Sequence, residues 1–173
     1  TIGLVHSTYP SSSNLVNQLL TIDGQYKNIN LVPISTPYLE GDAGLLEMTD
    51  RITDILQEKA IELDGYWLSS GPLAVASNLV KKVKKETGLL PLFAESIAAV
   101  KEGALIGVVS EPSSIGKSAA RKAKLILEKK SAMEIPVVKM DTYSVAVNVS
   151  TAIQLQLPIP SSYLKLSKEH VYQ

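Results

Sequence analysis

The chain has no cysteine, which excludes thiol nucleophiles, disulfide scaffolds, cysteine–zinc sites and iron–sulfur clusters. It has two histidines, His6 and His170, near opposite ends, so any metal site would rest mainly on carboxylates. Charge of neither sign prevails: 17 lysines and arginines face 17 aspartates and glutamates. Binding to a polyanion needs clustered, uncompensated positive charge, so this balance argues against a globally basic nucleic-acid binder. Long apolar runs are also lacking. The longest, around residues 104–109, falls far short of the roughly 20 residues a spanning helix requires. The opening TIGLVHS has neither the basic start nor the small-residue cleavage site of a signal peptide. Either the protein is not exported or a preceding segment has been removed. The absence of cysteine suits both cases and fixes no compartment.

What is present is a chain of 173 residues, 45% hydrophobic and 20% charged. That length suits one domain, and the composition excludes intrinsic disorder, which needs low hydrophobicity and unbalanced charge. Residues 2–5 read as a strand, followed by the serine-rich turn 7–13, whose hydroxyls suit helix capping. Leu15, Val16, Leu19 and Leu20 then recur at helical spacing. Residues 29–34 read as a second strand, with Pro33 favouring an edge or a strand end. Met48, Ile52, Ile55, Leu56 and Ala60 mark a helix, and DGYWL at 64–68 a third strand. A helix is predicted through Leu73, Ala76, Leu79, Val80 and Val83, stopped by Gly88. Strands follow at 91–94, 103–109, 135–140 and 143–148, with an amphipathic helix over 115–130 and short helices from Ser150 and Ser161. Strands and helices alternate over the first 130 residues. Parallel neighbours need crossover helices, so the expected fold is α/β: an open, mostly parallel sheet with helices on both faces.

Four features invite a chemical reading. Ile115-Gly116-Lys117-Ser118 matches the end of a phosphate-binding loop, but that motif needs glycine where Glu111 stands. Glutamate there repels phosphates and Pro112 removes an amide donor, so the segment reads as the start of a helix. The lysines at 81, 82, 84 and 85 and those between 117 and 130 lie on helices with apolar opposite faces, which makes them solvated faces. His6 follows a buried strand without a Gly-x-Ser-x-Gly elbow or an assigned acid, and reads as an ordinary polar residue at a strand end. The loops after the strands are more informative. Ligands of open α/β sheets bind outside the carboxyl ends of the strands. Here those loops are 7–13, 69–72, 95–96 and 110–114, rich in hydroxyls with glycine or proline. Several lead into helix starts, whose free amides suit a carboxylate or another small anion. Each serine alone is explained by capping; together they suit a small-molecule cleft. No nucleophile–base pair accompanies them, so binding is favoured over catalysis.

From Pro91 onward, Gly103-Ala104-Leu105, Ile115-Gly116, Ile135-Pro136-Val137, Val147-Asn148, Ala152 and Ile159-Pro160 fall in an order that resembles the substrate-binding proteins of a bacterial ABC transporter family. That family includes tryptophan- and tyrosine-type uptake components and many lipoproteins. The opening IGLVHSTYPSSSN is similar to the start of the family's second lobe, and DGYWLSSG to its mid-lobe strand and ligand loop. The resemblance implies one lobe of a type I periplasmic-binding-protein-like fold. Residues 1–100 and 134–173 would form the lobe core, and the strand and helix at 101–133 would cross into an absent first lobe. Members are two-lobed and nearly twice as long. The resemblance thus implies that about half of the protein, with its signal sequence and lipid-anchored cysteine, precedes this chain. Without that partner, residues 106–109 must extend the local sheet, pair with another chain, or leave an exposed edge. A homodimer through 104–131 is the expectation.

The resemblance also implies a function: the C-terminal lobe of the solute-binding component of an ABC importer, extracytoplasmic, not an enzyme, and without a cofactor. A small polar solute such as an amino acid would lie between the lobes, and a transporter permease would be the partner. Ser12, Ser13, Ser70, Gly71, Ser96 and Glu111 would line this lobe's side of the cleft. The chain departs from the family's pattern at two ligand positions. Gly71-Pro72 replaces a common aspartate, and Glu111-Pro112 replaces an Asp-Tyr pair, departures that weigh against an aromatic amino acid ligand and leave the binding-protein assignment standing. Two other readings stand beside this one. The same module serves as the extracytoplasmic sensor of a signalling protein, or the chain is a small Rossmann-like enzyme. The lack of a Gly-x-Gly-x-x-Gly fingerprint weighs against the enzyme.

Overall fold

A computed structural model describes residues 1–138 and 143–173. The chain begins with β1 (Ile2–Ser7), α1 (Pro10–Asp23), β2 (Leu31–Thr36), α2 (Gly41–Lys59) and β3 (Gly65–Leu68). A 3₁₀ turn at Pro72–Val75 precedes α3 (Leu79–Thr87), β4 (Leu92–Ala94), α4 (Ile97–Lys101), β5 (Ile106–Ser110) and α5 (Pro112–Leu127). β6 (Tyr143–Asn148), α6 (Val149–Gln154), α7 (Ser161–Ser167) and β7 (Val171–Tyr172) complete it. The strand order is β2-β1-β3-β4-β5-β6-β7. β1 to β5 run parallel, β6 is antiparallel to β5, and β7 is parallel to β6. This is the expected mostly parallel α/β sheet. β2, with Pro33 exposed, takes one edge.

Right-handed crossovers place the helices. β2 lies on one side of β1, whereas β3, β4 and β5 follow on the other, so α1 falls on one face and α2, α3 and α4 on the opposite one. The core agrees. Val5, Ile34, Leu68 and Ala94 share a face and pack with Met48, Ile52 and Leu56 of α2, Leu79, Val80 and Val83 of α3, and Val100 of α4. The strand order reverses at β1, between β2 and β3, which makes the carboxyl ends of β1 and β3 the switch point.

Several local expectations change. The helix predicted through 73–83 is broken: Asn78 is left-handed at φ 63°, and only Leu79–Thr87 continues as α-helix. Gly88, at φ 79°, ends it as expected. Of the strand expected at 135–140, residues 136–138 are not strand, and 139–140 lie outside the described residues. The segment 101–133 was expected to cross into a first lobe. β5 is inside this sheet, bonded to β4 on one side and β6 on the other. Close approach explains the fit, since a Cβ on Gly107 would stand 2.8 Å from the Ala94 carbonyl oxygen. Of the three fates open to 106–109, extension of the local sheet is the one taken. α5 behaves otherwise: none of its described residues is buried. No helix among the described residues is long and apolar enough to cross a membrane.

Candidate functional site

At the switch point, β1 ends in Ser7, which is buried, and its chain turns through Tyr9 into α1. Ser12 lies in the first turn of that helix, also buried, and donates to the Ser70 carbonyl oxygen at 2.9 Å. Ser69 donates from its amide to the Val5 carbonyl at 3.1 Å, extending the β1–β3 ladder by one bond. These bonds tie the loop after β3 to the start of α1. Gly71, at φ 138°, then turns the loop, and a Cβ there would collide with Ser12 Oγ. The glycine is required twice over, by conformation and by space.

Beside this knot lies an open cavity of about 500 Å³ over the ends of β3, β4 and β5. It is lined by Ser70, Gly71, Glu95, Ser96, Val108 and Ser110, with further apolar side chains at its base. The volume lies within the range of small-molecule sites. Glu95 is held from two directions. Its Oε1 accepts from Trp67 Nε1 at 2.9 Å, and its Oε2 accepts from the Ser70 amide at 3.2 Å. Trp67 is itself set by an edge-to-face contact with Phe93, ring centroids 4.8 Å apart.

The six residues predicted for the cleft divide. Ser70, Gly71 and Ser96 line this cavity. Ser12 stands behind it as the strap on Ser70, and Ser13 is half-buried on α1 away from its lining. Glu111 lines a second cavity of about 490 Å³, with Ser144, Lys168 and His170. There its Oε1 accepts from Ser144 Oγ and lies 3.0 Å from His170 Nε2, whose Nδ1 is 3.1 Å from the Tyr172 hydroxyl. The Ser144 hydrogen bond chiefly, then the His170 hydrogen bond, holds the Glu111 carboxyl below the usual carboxylate range. The acid stands between serine and imidazole, so the imidazole does not touch the hydroxyl and the trio lacks the order of a Ser-His-Asp triad. His6 is buried, its Nδ1 2.9 Å from the Ser7 carbonyl oxygen. Among the described residues no cluster of three or more His, Asp or Glu is placed to hold a metal. Sequence reasoning placed 95–96 among the edge loops but did not select Glu95. The available signal was an acid directly after a short central strand.

The model for ABC transporter substrate binding proteins matches residues 1–171. The chain belongs to the ABC transporter substrate-binding protein family. A conserved domain protein from Vibrio cholerae superposes at TM-score 0.74 with 20% identity, over 99% of this chain and 54% of that one. An ABC domain from Streptococcus pneumoniae in complex with L-Trp superposes at TM-score 0.74 with 19% identity, over 99% and 56%. The ligand-free, open structure of a substrate binding protein with adhesive properties from Clostridium difficile gives TM-score 0.66 with 18% identity, over 99% and 52%. At such identities the superpositions show the fold alone. No curated protein matches this sequence. The chain spans about half the length of the solved structures it matches.

Proposed function

We propose that this substrate-binding protein is the solute-binding component of an ABC importer, working outside the cytoplasm. A small polar solute such as an amino acid occupies the cavity over β3, β4 and β5, closed from the other side by a second lobe. The supporting observation is the position of that cavity. It opens beside the switch point of the sheet, where α/β folds take ligands, and serines and one carboxylate face it. Ser70, Gly71 and Ser96 touch the solute, and Ser12 keeps Ser70 in place. Closure follows from differential affinity: the solute favours whichever lobe arrangement brings both walls into contact with it. The protein binds its solute and does not transform it.

α5 is the segment that meets the second lobe. Ile115, Ala119, Ala123 and Ile126 form one stripe, and the first, second and last are exposed together with Ala123. The half-buried residues, Ser114, Ser118, Lys122 and Leu125, lie on a different face. An apolar helix stripe turned away from its own sheet suits a partner surface. In a sample of these residues alone, the same stripe pairs two copies.

The test is a melting screen of the full-length protein against amino acids, sugars and nucleosides. A solute at one hundred times its Kd adds about 2.7 kcal/mol of stability, so a true ligand gives a large melting shift. Ser70→Ala and Ser96→Ala should weaken it. Turnover of a substrate with no stabilising ligand at all would sink the reading.

A further inference from the structure

Glu95 is the carboxylate that lines the cavity. The residue is half-buried, yet both hydrogen-bond partners of its carboxylate, the Trp67 indole and the Ser70 amide, are neutral. Among the described residues no lysine, arginine or histidine lies within ion-pair distance of it or lines its cavity. Asp50 and Glu47 are paired with Lys82 and Arg51 on the surface, and Asp23 and Glu102 accept from single backbone amides, but neither of these lines the cavity. Neutral donors orient a carboxylate but do not compensate its charge, and a partly desolvated charge gains most from an opposite one.

We infer that Glu95 is the charge-selecting group of this cavity, and that the solute docks a protonated amine or guanidinium on it. This rests on the proposed solute-binding function. Each carboxylate oxygen offers about two acceptor sites, and the indole and the amide occupy one on each. Two remain, enough for an ammonium or for the paired donors of a guanidinium. The rotation that long acidic side chains lose on binding is already lost here, because Trp67 is fixed against Phe93 and Ser70 by Ser12. Ser96 and Ser110 add hydroxyls within the same cavity. An anionic solute meets uncompensated like charge, which makes Glu95 a device of rejection as well as attraction.

The experiment compares wild type with Glu95→Gln in the full-length protein. Melting shifts and calorimetric titrations are run with L-arginine, L-lysine and putrescine, against L-glutamate, succinate and D-glucose. Glutamine keeps the shape and one acceptor but removes the charge. The expected result is a melting shift with at least one cationic probe, whose affinity falls tenfold or more in Glu95→Gln. The melting temperature of the unliganded variant should stay within a few degrees of wild type. If Glu95 only braces Trp67 and Ser70, the variant lowers unliganded stability and spares affinity, which overturns the inference. A response confined to anionic or neutral probes overturns it too, while leaving solute binding standing. Silence from all six probes, and from the wider screen, overturns both.

Discussion

Gly71 leaves β3 at φ 138° with Ser12 Oγ in the space its Cβ would fill. Strain of this kind costs about 1–3 kcal/mol, and the displaced serine loses its bond to Ser70 as well. Gly71→Ala should therefore destabilise the protein by more than Ser12→Ala, which removes one hydrogen bond worth about 1 kcal/mol. Urea melts of the two variants decide the order, and the reverse ranking would refute the account. Thr36 offers the opposite case. It is fully buried, and its hydroxyl has no hydrogen-bond partner among the described residues. Thr36→Val removes an unsatisfied polar group at constant shape, and stability should stay level or rise by about 1 kcal/mol. A loss of that size instead would mean the hydroxyl is satisfied in solution. Ser70, Gly71 and Ser96 were legible as cavity residues because strand-end loops declare themselves by composition. The acid was not. Glu111 and Glu95 both follow a strand, and only the fold shows that Ser144 and His170 claim one while the other faces the cavity.

Elements with long periodic patterns were readable and short ones were not. α2 repeats its apolar positions from Met48 over about three turns, and the sequence marks them without help. α4 is five residues and β7 two, too short for any period to register. Both owe their existence to packing: Val100 of α4 enters the core, and Val171 pairs with Val147. The break before α3 was hidden because Leu73, Ala76 and Leu79 keep apolar spacing through a 3₁₀ turn and a left-handed Asn78. The junction of β5, β6, β7 and α5 also carries a pH dependence. Glu111, at the head of α5, is fixed by Ser144 on β6 and by His170 just before β7, with Lys168 adding positive charge nearby. A carboxyl held below its usual range stabilises the fold above the unfolded value, near 4.3 for glutamate, and that contribution is lost as pH falls through the folded value. Wild type should be more stable than Glu111→Gln at pH 5, with the difference closing as the solution is acidified further. Thermal melts by circular dichroism at stepped pH measure this. A difference that grows on acidification would reverse the assigned sign.

At the scale of the molecule, the inner strands are paired, whereas α5 leaves an apolar stripe uncovered. Every inner strand from β1 to β6 has a neighbour on both sides, and β5 offers no free edge for pairing. α5 contributes nothing to the core, with Ile126 54% and Leu127 83% exposed and Ile115 on the same stripe as Ile126. This separates two associations that the sequence alone left joined. A strand-mediated dimer through 106–109 has no unpaired backbone to use, whereas a helix-mediated one has an apolar surface ready. The 173-residue chain should therefore self-associate through α5, reversibly and in proportion to concentration. Ile115→Lys combined with Ile126→Lys places two like charges on that stripe in each copy, four across the contact, and should return the chain to monomer. Secondary structure should be unchanged, because neither position is buried. Sedimentation velocity over a concentration series, with circular dichroism as the control, reads the result. A wild-type chain that stays monomeric throughout, or a double variant that still dimerises, would remove α5 as the contact.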